Sequence, residues 1–239
     1  MIKFSDKYRS DQVEIMDDVE FRGREMERLL KDLKRINKWL GGNQITIDGI
    51  RKLLVQHPKN ETVVILDIGC GDGELLRECA KYAKKNNIKL KGIGLDFNNN
   101  ILDFAAEQSK AHPNIEFKKI NVFSKENPIP NCDIALSTLF LHHFEDVEII
   151  DLINKVMKKT RLGWVINDLH RSRIAFNLFK FISFFFIKSN TAKHDGLVSI
   201  AKGFKKRELI DISRAIPNQR SIIRWRWAFR YQWILKRTP

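Results

Sequence analysis

The chain has 239 residues and a net charge of +14, enough length for one α/β domain with a small addition that buries roughly 70% of its unfolded surface, so no staples are required. Its three cysteines, Cys70, Cys79 and Cys132, are odd in number and lack metal-ligand spacing, which argues against a disulfide framework, implies no metal and fits a reduced, cytoplasmic setting. A pI near 9.7 would attract nucleic acid or an anionic membrane, yet the basic residues are scattered rather than gathered into an arm, so a solvated basic surface is the simpler expectation.

Met1 to Asp18 is charged throughout, so no signal peptide is expected, and no apolar run approaches the ~18 residues a membrane span needs. Residues 24–40 place Met26, Leu29, Leu30, Leu33, Ile36 and Leu40 on one helical face and stop at Gly41-Gly42, an amphipathic helix. A second helix is expected from about Thr46 to Gln56. Val63 to Ile68 is an apolar run that takes in Asp67 and then breaks into Gly69, Gly71 and Gly73. That is a buried strand entering a tight turn, and Glu74 to Ala83 continues at helical spacing. Open parallel sheets bind ligands at such a corner. Glycine lets the backbone approach the ligand, and the following helix offers unpaired N–H groups.

Lys89 to Asp96 is the second strand, and Asp96 lies 23 residues past Gly73, near the offset at which an acid reaches the ribose hydroxyls of a nucleoside. A dinucleotide fingerprint would place its third glycine one residue later, and Asp67 would repel a pyrophosphate while suiting a cation. On these residues the chain resembles the class I S-adenosylmethionine-dependent methyltransferases, whose first motif is an acid followed by Gly-x-Gly-x-Gly.

The resemblance covers about Val63 to Asp168 and implies a doubly wound, seven-stranded, mostly parallel sheet with an antiparallel C-terminal pair. It implies S-adenosylmethionine as cofactor, held by Asp67, Gly69, Cys70, Gly71, Gly73, Asp96 and Phe97. Asn121 and Val122, after a third strand at 115–120, would flank the adenine, although Asn121 replaces the commoner Asp. Ser137 and Thr138, at the end of a fourth strand, would run beneath the methionine part. An N-terminal lid over residues 1–56 is expected, followed by a methyltransferase domain over 57–239 with a helical insertion at about 171–200.

A helix from about Asp146 to Lys158 and a fifth strand, Arg161 to Asp168, come next. Ile174 to Ile187 is apolar nearly all round and flanked by Arg171, Arg173 and Lys188. At about 14 residues it suits a buried or lid helix, a greasy wall for a lipophilic substrate, or a segment touching a membrane surface. His194 to Ser199 looks like a loop, and Lys205 to Arg214 a helix. From Ser221 to Arg237 aromatics alternate with arginines. That period suits single-stranded nucleic acid or, as expected here, strands six and seven.

In the resembling family the cofactor is already activated, so positioning of a nucleophile dominates and a base is optional. His143 and His170 are the candidate bases for a phenolic acceptor. Arg9, Met16, His142 and Phe176 are the candidate acceptor contacts. Arg9-Ser10-Asp11, Met16-Asp17-Asp18 and Asn167-Asp168-Leu169-His170-Arg171 resemble methyltransferases of phenolic lipid, polyketide and pigment biosynthesis. The expected function is therefore O-methylation of a small lipophilic phenolic or polyketide-type molecule, with peripheral membrane contact allowed and nucleic acid not the expected partner. An RNA or protein methyltransferase, a nicotinamide enzyme and a non-catalytic nucleoside-binding module stay open as alternatives.

Overall fold

The computed structural model describes residues 2–58, 60–124, 128–217 and 219–237. Its centre is a seven-stranded sheet in the order β3-β2-β1-β4-β5-β7-β6. The strands are β1 (Val63–Ile68), β2 (Leu90–Asp96), β3 (Ile115–Lys119), β4 (Cys132–Thr138), β5 (Thr160–Leu169), β6 (Gln219–Arg226) and β7 (Arg230–Arg237). The first five run parallel, whereas β7 is antiparallel to both β5 and β6. This is the architecture that the family resemblance implied. Its order reverses between β1 and β4, so the crevice outside the carboxyl ends of these strands is where such a sheet takes a ligand.

Helices α1 (Gly23–Trp39), α2 (Gly42–Leu53) and α3 (Glu74–Lys85) precede β2. One face of the sheet is sealed by Ile50 and Leu53 of α2 and Leu75, Leu76 and Cys79 of α3 over Val63, Ile65, Ile134 and Val165. On the other face, α5 (Asp146–Met157) and α8 (Lys206–Arg214) cover Leu66, Ile68, Trp164 and Trp233. The strands sit between two helical layers, so β1, β4 and most of β5 are buried on both faces rather than alternately. α4 (Asn99–Gln108) begins at Asn98, whose side chain accepts from the backbone N–H of Asn100 and Ile101 and caps the helix.

Three differences from the sequence reading have physical causes. The second helix starts at Gly42 rather than about Thr46, because Gly41 takes a left-handed conformation (φ +68°) that lets the chain turn directly from α1 into α2. His194 to Ser199 is not a loop but the middle of α7 (Asn190–Lys202). Gly196 suggested a break, yet it marks close packing: a Cβ there would lie 2.3 Å from the Phe179 ring of α6 (Arg173–Phe186). The β6–β7 turn, Trp227-Ala228-Phe229, lacks the usual Gly or Asn, and Ala228 and Phe229 carry the positive φ values instead. Among the described residues, no helix is long and apolar enough to cross a membrane. The expected N-terminal lid and C-terminal domain begin and end in Met1, Thr238 and Pro239, which lie outside the described residues.

The β5–β7 pairing admits a direct test. A Cβ on Gly163 would sit 2.3 Å from the backbone oxygen of Leu235 in β7, and backbone cannot step aside as a side chain can. Gly163→Ala is expected to lower stability by about 1–3 kcal/mol, the usual cost of overpacking, measured as a fall in the urea midpoint. An unchanged midpoint would contradict this register.

Candidate functional site

β1 delivers Asp67 to the corner fully buried, and among the described residues its Oδ1 has no hydrogen-bond partner. Burial pushes its carboxyl well above the usual range, and the charges of Asp96 and Asp72 push it further. The turn that follows needs its glycines, with φ of +70° at Gly69, +52° at Gly71 and +73° at Gly73. A Cβ on Gly69 would strike the Phe140 ring, whereas one on Gly71 would meet no atom within 4 Å. The corner is therefore packed from behind and open in front. Cys70 is buried between these positions, its thiol pushed up by burial and the nearby acids, so it is no nucleophile.

Asp96 ends β2 with its carboxylate turned back into the turn. Oδ2 accepts from Gly71 N–H at 3.1 Å, and Oδ1 accepts from Phe97 N–H at 2.8 Å and Asn98 N–H at 3.1 Å. Burial nonetheless raises its pKa, while Phe97 is half-exposed beside it. Asn121 Oδ1 accepts from Phe123 N–H at 3.0 Å and shapes the turn after β3, and Val122 is buried. At the end of β4, Ser137 Oγ is buried without a partner among the described residues, and Thr138 Oγ1 shares a 3.1 Å hydrogen bond with Thr46 of α2. Two orphaned oxygens, a crowd of acids and an open glycine turn fit a ligand that is cationic and rich in donors.

One residue past Thr138 a large cavity begins. It encloses about 780 Å³ and runs from Leu139 between α1, α6 and the β6–β7 turn, walled by Leu169, Leu178, Phe179, Ile182 and Phe229 among others. Leu139 itself has φ +55°, a conformation a branched side chain holds only under tertiary constraint. His170 lies on this wall. Its Nδ1 accepts from Trp225 Nε1–H at 3.3 Å, and burial, then Lys205 and Arg171, lower its pKa and keep the ring neutral. Phe176 does not line the cavity. It packs on Phe4, ring centroids 5.0 Å apart, and anchors the N-terminal segment.

Residues 65–163 match the family described as "Methyltransferase domain". That stretch of the chain carries a methyltransferase domain. Over 59 residues it is 39% identical to a malonyl-[acyl-carrier protein] O-methyltransferase from Halalkalibacterium halodurans, a match spanning 25% of this chain and only 20% of that protein. Its fold is similar to that of the plantazolicin methyltransferase BpumL in complex with SAH, with a TM-score of 0.63 and 15% identity over 90% of this chain and 96% of that one. Human N-acetylserotonin methyltransferase in complex with SAM also shares the fold, with a TM-score of 0.61 and 14% identity over 90% of this chain and 57% of that one.

In this methyltransferase the N-terminal segment is tied down by His142, which follows β4 and is wholly buried. Its Nδ1–H donates to Asp168 Oδ1 of β5 at 2.7 Å and its Nε2–H donates to Glu14 Oε1 at 3.3 Å. Burial alone would lower its pKa, but the two carboxylates win and push it up to about 9. Glu14 also accepts from Ser199 Oγ at 2.8 Å, and Asp195 of the same α7 accepts from the backbone N–H of Ile15 and Met16. His142, expected to touch the acceptor, is thus enclosed by protein on both ring nitrogens. Arg9, expected beside it, also turns inward. Its guanidinium donates to the carbonyls of His142, Phe144 and Lys202, pairs with Asp146 at 3.1 Å and stacks on Phe204. Met16 packs with Met26, Leu29 and Ile101 beneath α1.

His143, the other candidate base, stacks on His142 and bonds Asp17 Oδ2 through Nδ1 at 3.1 Å, and it is not on the cavity wall. Ligand-type atoms of Glu14, His142 and His143 lie within 4.8 Å of one another. A metal would first have to displace the His142 proton, which the two carboxylates hold. Sequence reasoning missed Glu14, Asp195 and Ser199, because an acid in a charged leader gives no signal until folding places it over β4.

Because the folded pKa of His142 is raised above histidine's ordinary 6.5, its pairing contributes stability that is complete below that value and lost as pH rises through about 9. His142→Asn should cost roughly 3–5 kcal/mol at neutral pH by stranding two buried carboxylates. It should also flatten the alkaline fall in stability measured by urea unfolding across pH. Parallel alkaline curves for the two proteins would refute the buried imidazolium.

Proposed function

We propose that this methyltransferase O-methylates a small lipophilic acceptor of phenolic or polyketide type. The observation that carries the reading is the apolar cavity that opens at Leu139, directly past the strand end where the cofactor corner finishes. When bound, S-adenosylmethionine supplies a methyl group on a sulfonium, already a good leaving group. Asp67 would hold the amino-acid end through its unpartnered oxygen and Asp96 the ribose hydroxyls. Gly69, Cys70, Gly71 and Gly73 would give the backbone edge, Phe97, Asn121 and Val122 the surroundings of the base, and Ser137 and Thr138 the floor under the methionine. A cation there relieves the repulsion among Asp67, Asp72 and Asp96, which lets the acids ionise.

The chain's own contribution is orientation, which can supply on the order of 7–11 kcal/mol of the barrier. The residues that press the acceptor toward the corner are apolar, so water is excluded at the same time. His170 is the candidate proton handler that the cavity reaches. Its ring is neutral, as a base requires. Trp225 donates to Nδ1, so the ring proton sits on Nε2, and His170 would take a proton from the acceptor through Nδ1 only after that nitrogen leaves Trp225. His143 is held by Asp17 and serves the same anchoring knot as His142. Residues 2–22 and α1 would act as the lid, latched by Glu14.

The outward face of α6 supports delivery of the acceptor from an anionic lipid surface. Phe181, Phe184 and Phe185 are each more than 60% exposed, close to Arg173, Lys180 and Lys188 in a chain of net charge +14. Exposed aromatics beside cations suit a headgroup boundary.

Two measurements test these readings. Asp96→Ala is expected to weaken binding of S-adenosylhomocysteine by roughly ten- to a hundredfold in calorimetry, the value of lost hydrogen bonds to a charged group, and purified enzyme should add one methyl mass to alkylphenols. Unchanged affinity in that variant, or a panel of phenols left unmodified, would sink the assignment. In the second, protein should co-sediment with vesicles containing phosphatidylglycerol and not with pure phosphatidylcholine, and Phe184→Ser with Phe185→Ser should abolish it. Equal sedimentation with both vesicles would remove the lipid-surface contact.

A further inference from the structure

The cavity is apolar except for a few groups, of which Lys188 is exposed to solvent, Asn37 is bonded to Asn43, and three more are held by neighbours. Arg35 is paired with Asp32 at 3.0 Å and also donates to the Phe186 carbonyl, Ser199 donates to Glu14, and His170 is held by Trp225. Arg230, the first residue of β7, is different. Its side chain is 3% exposed and lines the cavity, yet among the described residues it has no carboxylate within 4 Å. Two of its nitrogens reach neutral amide oxygens, Asn37 Oδ1 at 3.0 Å and Asn167 Oδ1 at 3.5 Å, and Nε has no partner at all.

The surroundings do not neutralise it either. Asp168, the acid whose charge it feels, is committed to His142. The guanidinium also presses against the first turn of α2, since a Cβ on Gly42 would lie 3.2 Å from its Cζ. A helix N-terminus carries partial positive charge, so two electropositive ends meet in a dry place. Burial lowers the arginine pKa to about 10, which still leaves it charged at neutral pH. A buried guanidinium with unmatched donors is strongly unfavourable unless an anion completes it.

We propose that Arg230, with the first turn of α2, is the anchor for an ionised oxygen on the acceptor, so that this enzyme takes lipophilic acids, carboxylates or phenolates whose apolar body lies along α6. This rests on the cavity being the acceptor site and names which acceptors it selects. The bidentate geometry of arginine suits a carboxylate or an acidic phenol better than a neutral hydroxyl. The apolar wall excludes small hydrophilic acids, which would exchange water for Leu178, Ile182 and Phe229 without gain.

The test compares para-octylbenzoate with para-octylbenzamide, and para-octylphenol with its methyl ether, by calorimetric titration of the full-length protein at neutral and alkaline pH. The benzoate should bind roughly ten- to a hundredfold tighter than the amide, and the phenol should gain on its ether as pH approaches its ionisation. Arg230→Met should bring acid and amide to equal affinity, and Arg230→Lys should restore part of the difference. S-adenosylhomocysteine binding should be the same in all three proteins. Equal binding of benzoate and benzamide by the wild type overturns the proposal even if Arg230→Met does not fold, and so does a preference that survives in that variant. Failure of methyl transfer with the acid preference intact would fault the methyltransferase reading and leave the anion anchor standing.

Discussion

The arrangement depends on one buried cation, the imidazolium of His142, held between Asp168 on one ring nitrogen and Glu14 on the other. Each partner comes from a different part of the chain: the strand ends of the sheet supply the histidine and Asp168, and the N-terminal segment supplies Glu14. Ser199 brings α7 into the same knot. In a low-dielectric interior such a triad holds only when every charge has its partner. The lowered pKa values of Glu14 and Asp168 and the raised one of His142 are one fact seen from three sides: burial opposes each carboxylate charge, and the imidazolium outweighs it. The knot adds to the Arg9 bonds, the Asp195 contacts and the Phe4–Phe176 packing that also hold the N-terminal segment over the sheet edge.

A second cluster of acids, a strand away, is deliberately left incomplete. Asp67, Asp72 and Asp96 have raised pKa values, burial first in each case, and Asp67 keeps an unpartnered oxygen. Buried acid therefore appears in two states within one sheet edge: satisfied where it fastens the N-terminal segment, and, among the described residues, unpartnered at Asp67, although Asp72 beside it is paired with Arg77. Arg230 mirrors this with the opposite sign. A crevice that wants a cation at the glycine corner and an anion at the far side of Leu139 is electrostatically suited to bring a sulfonium and an ionised oxygen face to face, and the apolar wall between them raises the strength of both attractions.

What the sequence disclosed follows from how local each signal is. The glycine corner, Asp96 and the parallel strands are written in short contiguous patterns, so fold and cofactor corner could be read directly. α7 was hidden because Gly196 is a helix breaker in isolation and a packing requirement beside Phe179. Arg9, Met16 and His142 looked like acceptor contacts because the resemblance supplied their types but not their directions, and folding turned all three toward the protein. Arg230 was invisible for a subtler reason. Alternation from Ser221 to Arg237 is read as two strands without saying which side chains are enclosed, and β7 lies between β5 and β6. An internal strand buries both faces, so Gln232 is wholly enclosed and Arg230 nearly so.

α6 shows why composition alone could not choose among a core helix, a greasy wall and a membrane contact. Its inner residues, Ala175, Phe179 and Ile182, line the cavity, while Ile174, Phe181 and Phe184 face outward. A helix apolar on both sides is ordinarily buried on both sides. Here one side meets an internal cavity, and the other is uncovered. Phe185 and Phe186 belong to both, exposed yet lining the cavity, so the two surfaces join around the end of the helix. An apolar molecule arriving on the outer face would meet continuous hydrocarbon contact on its way to Leu139, with no step at which it must be rehydrated. The burial of apolar area would then favour inward movement at each stage, and the proposed contact at Arg230 would ask the molecule to carry a charge.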